Sequence, residues 1–396
     1  MAMIARSHPE IGPRARMLFA AIATVGLFMI AELVTLASAV FLQSKYKMYA
    51  VPVVQHSERI KSYDDYLRHR DPVLGWPFPA EFGDGFYDSS GARHSPAFRD
   101  PAKFPNRVAI FGDSYAAGSE VDDDHAWGNQ LALMLGSRVG IFGVPGYGTD
   151  QAYLRFLSMP KDSSRIVILT HLSEDISRNL TRNWDLFTHM GHYGLKPRFV
   201  RNGNGGLVHV PLPNLTEPEY LRSVGIESPF LSIEHENFQP GGPAGVTRLS
   251  FPFSVAFMQN LGSFQMRSLF ARRPDYAEFY TKGHPLEGLE ITAQILVSFQ
   301  EEARKKGQWP LVVLLATRQD FNYVRKNGTW TYANLITELD RLQVNYLDFG
   351  PLLQKHIGDR EVRSFFKPLG HYNEEVSKIL ADTVYETFRS RGAPVR

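Results

Sequence analysis

The apolar positions follow three different patterns along the chain. Residues 17–42 form a nearly unbroken apolar run, interrupted only by Glu32 and a few small hydroxyl residues. About 20 residues at 1.5 Å each cross a hydrocarbon core, so this run predicts a membrane-spanning helix with some tilt. From Gln43 to about Asn106 neither a 3.6-residue nor a 2-residue period persists, and aromatics, Pro and Gly abound. That pattern predicts a tether and an irregular extension packed on the main domain.

Regular alternation begins at Arg107. Val108-Ala109-Ile110-Phe111 reads as a buried parallel strand ending at Gly112. A helix over about 125–135, stopped by Gly136, leads to a strand at 139–142. Next come a helix capped by Thr149 or Asp150 and running to about Met159, a strand at 166–170 and a helix over 175–183. From about Trp184 to Gly283 the sequence turns loop-rich, as in Asn202-Gly203-Asn204-Gly205-Gly206, and predicts an insertion or lid outside the core. Helical spacing returns at Leu289, Ala293, Leu296, Phe299 and Ala303, closed by Gly307. Strands at 311–315 and 345–349 come after it, and a last helix carries Val376, Ile379, Leu380, Val384 and Phe388 on one face. Five strand–helix alternations predict an α/β fold with a doubly wound, five-stranded parallel sheet.

Charge and composition narrow the function. The chain has 396 residues, 43 basic against 41 acidic, with no long basic run, so nucleic acid is not an expected partner. It has no cysteine, which excludes disulfides, thiolate metal sites and a cysteine nucleophile. Arg6, Arg14 and Arg16 precede the apolar run and Lys45 and Lys47 lie after it, a bias that mildly favours a cytoplasmic N-terminus. The rest of the chain is then extracytoplasmic. A cleavable signal peptide is the rival, since Ala37-Ser38-Ala39 resembles a cleavage site; the run is longer than the usual signal core, which favours an uncleaved anchor. Glu32, near mid-span, either faces an intramembrane partner or is merely tolerated in a long apolar helix.

The sharpest local signal is Phe111-Gly112-Asp113-Ser114-Tyr115-Ala116-Ala117-Gly118, directly after the first strand. A serine there lies at the carboxyl edge of a parallel sheet, where ligands bind and helix N-termini suit a developing oxyanion. The same residues also make an ordinary strand-to-helix turn. Phe142-Gly143-Val144-Pro145-Gly146-Tyr147-Gly148-Thr149-Asp150-Gln151 comes after the second strand, and Gly370-His371-Tyr372-Asn373 precedes the last helix.

Taken in order, these three segments resemble the sequence blocks of the SGNH (GDSL-like) hydrolases over about 107–388, with 184–283 as an insertion. The resemblance implies a flavodoxin-like α/β/α fold and ester hydrolysis or acyl transfer without metal or other cofactor. It implies Ser114 as nucleophile, His371 as general base, and the N–H groups of Ser114 and Gly143 as oxyanion donors, with Gly112, Asp113 and Asp175 as supporting motif residues. A serine hydroxyl is a poor nucleophile until an imidazole takes its proton.

Two positions depart from the family pattern. Its third block is usually Gly-x-Asn-Asp, but here it is Leu172-Ser173-Glu174-Asp175, and an ionised Glu174 cannot donate to an oxyanion. Either another donor such as Asn179 substitutes or the activity is slow. The aspartate usual three residues before the histidine is Pro368, which leaves His371 to a dyad, a backbone carbonyl or a distant acid such as Asp348.

Other candidates carry less. Asp122-Asp123-Asp124 before His125 reads better as an acidic helix start than as a cation site. His189 and His192 lack a further ligand motif. Trp184, Phe187, Tyr193 and Phe199 suit either sugar stacking or a small core. The sequence therefore predicts a serine esterase or O-acyltransferase of the cell envelope acting on an acylated glycan or another ester. The alternative is a catalytically weakened SGNH-fold protein that binds carbohydrate or scaffolds.

Overall fold

The computed structural model describes residues 12–46, 48–50, 62–76, 86–159, 163–184, 194–223 and 232–395. Helix α1 (Pro13–Tyr46) is long and apolar enough to cross a membrane. It is followed by a two-residue strand β1 (Tyr49–Ala50) and helix α2 (Tyr63–His69), capped by Ser62.

The main unit then runs β2 (Val108–Phe111), α3 (Ser114–Ala117), α4 (Trp127–Leu135), β3 (Val139–Ile141), α5 (Thr149–Ser158), β4 (Ile166–Leu172) and α6 (Asp175–Arg178). The intervening stretch holds β5 (Arg198–Arg201), β6 (Leu207–Val210), α7 (Glu217–Ser223), β7 (Thr247–Arg248), α8 (Phe253–Asn260) and α9 (Phe264–Phe270). It closes with α10 (Gly288–Lys305), β8 (Trp309–Leu315), α11 (Arg318–Asn327), α12 (Ala333–Arg341), β9 (Tyr346–Asp348), α13 (Phe349–Ile357) and α14 (Glu374–Ser390).

Five strands form one parallel sheet in the order β3-β2-β4-β8-β9. The register sets Val108 opposite both Val139 and Ile166, Ile166 opposite Trp309, and Val312 opposite Tyr346. Helices α4, α13 and α14 pack on one side and α5, α10 and α12 on the other, giving the expected three-layer α/β/α fold. Because both faces are covered, β2 and β4 are buried along their whole lengths, β2 wholly apolar and β4 apolar but for Thr170 and His171. Helix α14 starts where Asn373 accepts from the Val376 N–H at 3.0 Å, and it buries Val376, Leu380, Val384 and Phe388.

Several elements differ from expectation. Helix α5 is not capped by Thr149 or Asp150: Gly148 holds the cap position, while Thr149 bonds the His171 ring at 2.7 Å and Asp150 pairs with Lys196 at 2.5 Å. Helix α6 stops at Arg178 instead of continuing to 183, because the side chains after it bond to distant groups. Asn179 donates to Thr292 at 2.9 Å, and Thr181 bonds Glu236 at 3.0 Å. Strand β4 extends to Leu172, and α11, α12 and α13 had no clear signature in the sequence. The loop-rich stretch holds an antiparallel hairpin, β5–β6, turned by Asn202, whose side-chain carbonyl accepts from the Asn204 and Gly206 N–H groups. Its Phe199, Phe238, Phe264 and Phe279 join the core that surrounds the sheet, so much of this stretch is packed structure and not an external lid.

Candidate active site

The carboxyl ends of β2, β3, β4 and β8 gather the Ser114, Gly143 and Asp175 turns and the His371 hairpin. After β2, Gly112 has no room for a side chain, since an added Cβ would come within 1.9 Å of Thr170 Oγ1 and 2.6 Å of the Ala116 Cβ. Asp113 caps α3: its Oδ1 accepts from the N–H groups of Tyr115 at 2.9 Å and Ala116 at 3.4 Å, and its Oδ2 accepts from Arg178 at 3.2 Å. Ser114 thus sits at the first position of a four-residue helix, 7% exposed.

Gly143 presses against this turn. A Cβ there would lie 2.4 Å from the Ala117 nitrogen and 2.7 Å from the Asp113 oxygen, so only glycine lets the two segments meet. Among the described residues the N–H groups of Ser114 and Gly143 have no hydrogen-bond partner, which leaves both available to an anion.

His371 sits on a tight hairpin joined by the Phe366–Tyr372 bridge. The hairpin is closed by Lys367 N–H donating to the His371 carbonyl at 2.7 Å and Gly370 N–H donating to Lys367 at 3.0 Å. Tyr372 fixes it to the end of β8, where its hydroxyl bonds the Ala316 carbonyl and N–H at 2.8 and 3.1 Å. Tyr115, the residue after Ser114, donates to the Gly370 carbonyl at 2.6 Å, and its ring lies 5.2 Å from that of His371. The nucleophile turn and the histidine hairpin are therefore bonded together. Among the described residues Ser114 Oγ and His371 Nε2 have no hydrogen-bond partner, and no bond joins them. Such contacts commonly tighten only when substrate binds.

The acid beside His371 is Glu120, which sequence reasoning missed. Its Oε2 accepts from His371 Nδ1 at 2.6 Å and from the His371 N–H at 3.2 Å, and its Oε1 accepts from the Leu369 N–H at 2.9 Å. Burial works to raise this carboxyl, but the Leu369 N–H and the two His371 donors outweigh it and hold it below its ordinary value. Glu120 adopts a left-handed backbone, φ 65°, which turns the chain back toward the histidine just after α3. Asp348, the acid suggested by the sequence, is occupied elsewhere: it caps α13 and accepts from Tyr332 at 3.0 Å. The available signal for Glu120 was proximity in the chain, because an acid six positions after Ser114 remains on the same rim.

The third block is organised by Arg178. Its guanidinium donates to Asp113 at 3.2 Å, to the Tyr147 carbonyl at 3.0 Å and to the Glu174 carboxylate, and forms an ion pair with Asp175 at 2.8 Å, so one side chain ties together all three turn segments. Burial opposes its charge, but the three carboxylates prevail and raise it further above its ordinary value. Burial pushes Asp175 well above the usual carboxylate range, and the neighbouring Asp113 charge adds to this. Asn179 is not an oxyanion donor: it is fully buried, donating to Thr292 and accepting from the Asp150 N–H at 3.1 Å.

Asp123 of the acidic run pairs with buried Arg93 at 2.8 Å. No cluster of metal-ligand side chains occurs among the described residues. Trp184 and Phe199 are buried, Trp184 under Arg178 and Phe199 against Tyr153, so neither presents a sugar-stacking face. His189, His192, Phe187 and Tyr193 lie outside the described residues.

No protein-family model matches the chain, and no curated protein does. Solved structures do match. One is of a protein described as lipolytic and of the G-D-S-L family, from Desulfitobacterium hafniense DCB-2: TM-score 0.32, 11% identity, covering 70% of this chain and 97% of that one. Another crystal structure gives a TM-score of 0.35 and 13% identity, covering 74% of this chain and 99% of the other. Overlaps this loose carry no argument, and the chemistry must be read from the chain's own residues.

Those residues form a consistent set. A carboxylate bound to Nδ1–H fixes the imidazole tautomer and leaves Nε2 as the nitrogen able to accept a proton. A serine on the adjoining turn and two unpaired N–H groups beside it are chemically able to serve as a nucleophile and a place for negative charge.

Proposed function

We propose that this chain is a membrane-anchored serine ester hydrolase or O-acyltransferase in which Ser114, His371 and Glu120 act together. The observation that carries the reading is the Glu120–His371 pair, 2.6 Å apart, on a hairpin bonded to the Ser114 turn. In this mechanism Nε2 takes the Ser114 proton as Oγ attacks the ester carbonyl. The carbonyl oxygen becomes an oxyanion held by the N–H groups of Ser114 and Gly143. The imidazolium, stabilised by Glu120, then returns its proton to the leaving alcohol, and an acyl-serine remains. Water or an acceptor hydroxyl removes the acyl group by the reverse sequence.

With Asn179 occupied and Glu174 in the family's asparagine position, the oxyanion has two donors instead of three. Losing one such donor costs about 10²–10³ in rate in other enzymes, so turnover of simple esters is expected to be slow. The same observation favours the second reading, a binding or scaffolding role with residual catalysis. Among ester substrates an O-acylated glycan outside the cytoplasm is the proposed class, supported by the anchor helix and by the sequence resemblance. Turnover of p-nitrophenyl acetate by the full chain in detergent, with Ser114→Ala beside it, tests the enzyme. Equal rates would remove it and leave the binding role. Acetate release from O-acetylated polysaccharide against release from lipid esters tests the substrate class.

A further inference from the structure

The stretch between β7 and α9 is apolar where a water-facing surface should be polar. Phe251, Val255 and Met258 are each more than half exposed, and they continue the exposed apolar flank of α1. The Phe251 ring meets Phe28 of α1 edge-on with 6.4 Å between centroids, and α8 packs along α1. Strand β7 pairs with β1 just past the end of α1, and Leu249 packs on a small cluster of Ala39, Met48, Tyr49 and Met266. The chain then runs back along α1 until Phe253 reaches Glu32, and α8 and α9 return it to the Ala39 level at Met266. At 1.5 Å per residue, Glu32 lies about 10 Å down α1 from Ala39 and about 15 Å from Leu42.

The contact at the bottom of this excursion is specific. The Glu32 carboxylate accepts from the Phe253 N–H at 2.5 Å, from the Ser254 N–H at 3.3 Å and from the Ser254 hydroxyl, and Glu32 is 3% exposed. Pro252, at the cap position of α8, supplies no side-chain cap. The first N–H groups of a helix lack internal partners, and an open helix end is costly in hydrocarbon, as is a lone carboxylate. Each satisfies the other here, with the positive end of α8 against the acid. In water neither group would need this arrangement.

We propose that residues 249–261 form a re-entrant membrane hairpin. It dips beside α1 into the leaflet nearer the α/β domain, with phospholipid acyl chains covering Phe251, Val255 and Met258 and Glu32 closing its tip. The proposal rests on reading α1 as a membrane anchor and is independent of the catalytic assignment.

The absence of cysteine allows single-cysteine variants of the full chain: V255C and M258C in α8, V25C in α1, and L352C on α13. Each is labelled with an environment-sensitive fluorophore and reconstituted in phosphatidylcholine–phosphatidylglycerol vesicles carrying nitroxide at mid-chain or at the headgroup. V255C and M258C should be blue-shifted and lose more emission to the mid-chain nitroxide than to the headgroup one, as V25C does, while L352C is unquenched. If only V25C is quenched, the hairpin is refuted and the anchor stands. If V25C is unquenched as well, the anchor reading fails and the hairpin with it. Should positions 255 and 258 become quenchable only after dilution with excess lipid, a second copy of the chain covers them and the proposal is overturned.

Discussion

Glu120→Gln tests the catalytic set at its least expected member. All three groups on the Glu120 carboxylate are donors: the Leu369 N–H, the His371 N–H and His371 Nδ1. A glutamine offers one oxygen and one NH₂ in the same space, so it must misplace one partner. If the NH₂ faces Nδ1, that nitrogen has to accept, and the ring proton moves to Nε2, where it blocks base catalysis. The comparable tautomer error in a serine triad costs about 10⁴ in rate, about 5.5 kcal/mol. If the NH₂ instead faces Leu369, the hairpin opens and a charge-assisted bond becomes neutral, worth about 1.5–3 kcal/mol or roughly 10–10² in rate. The expected fall in kcat therefore lies between about 10-fold and 10⁴-fold, with KM little changed because Glu120 does not reach the substrate. Hydrolysis of p-nitrophenyl acetate by the full chain in detergent measures it, with a thermal melt to show that the fold survives. A variant that keeps wild-type kcat while Ser114→Ala is dead would show that Glu120 does not orient His371. Acid titration gives a second reading. The folded Glu120 value lies below its ordinary 4.5, so its stabilising effect is complete above that pH and is lost as pH falls through the folded value.

Asp348→Asn separates the two candidate acids. Burial pushes Asp348 up to about 6, so its charge costs stability increasingly from its unfolded value toward pH 6 and fully above it; the variant should gain Tm at pH 7 more than at pH 4, with kcat unchanged. Gly143→Ala forces a methyl into the 2.4 Å approach to Ala117 and should cut kcat by about 10² or more by displacing an oxyanion donor, read against the burst of nitrophenol. Arg178→Met leaves three carboxylates around an empty centre and should cost about 3–5 kcal/mol in denaturant unfolding. Glu174→Asn supplies the asparagine of the block this segment resembles and should raise kcat on aryl esters; an unchanged rate would mean that a third donor is not limiting.

The sheet was legible because parallel strands covered on both faces are largely apolar, as Val108-Ala109-Ile110-Phe111 and residues 166–169 are. Ser114, Gly143 and His371 were legible because each stands in a short segment at the sheet's carboxyl rim whose residue types match a known order. Glu120 was not, since its role depends on a left-handed turn and on a hairpin 250 positions later, and neither leaves a periodic signal. Asn179 misled for a related reason: a polar residue near the right block gives no hint that its amide is already spent on Thr292 and Asp150. Helix α8 was hidden within turn-rich sequence, and its pairing with Glu32 links two segments whose local patterns are unrelated.

The Arg178 cluster has an electrostatic consequence for what can approach Ser114. One guanidinium is set among three acidic side chains, Asp113, Glu174 and Asp175, and Glu120 adds a fourth beside His371. Among these groups the acidic side chains outnumber the basic ones. Such a field favours the imidazolium that forms as the serine attacks, and it repels polymers dense in carboxylate or phosphate. On the reading proposed above, acylated chains of neutral or amino sugars would then be better substrates than polyanionic ones.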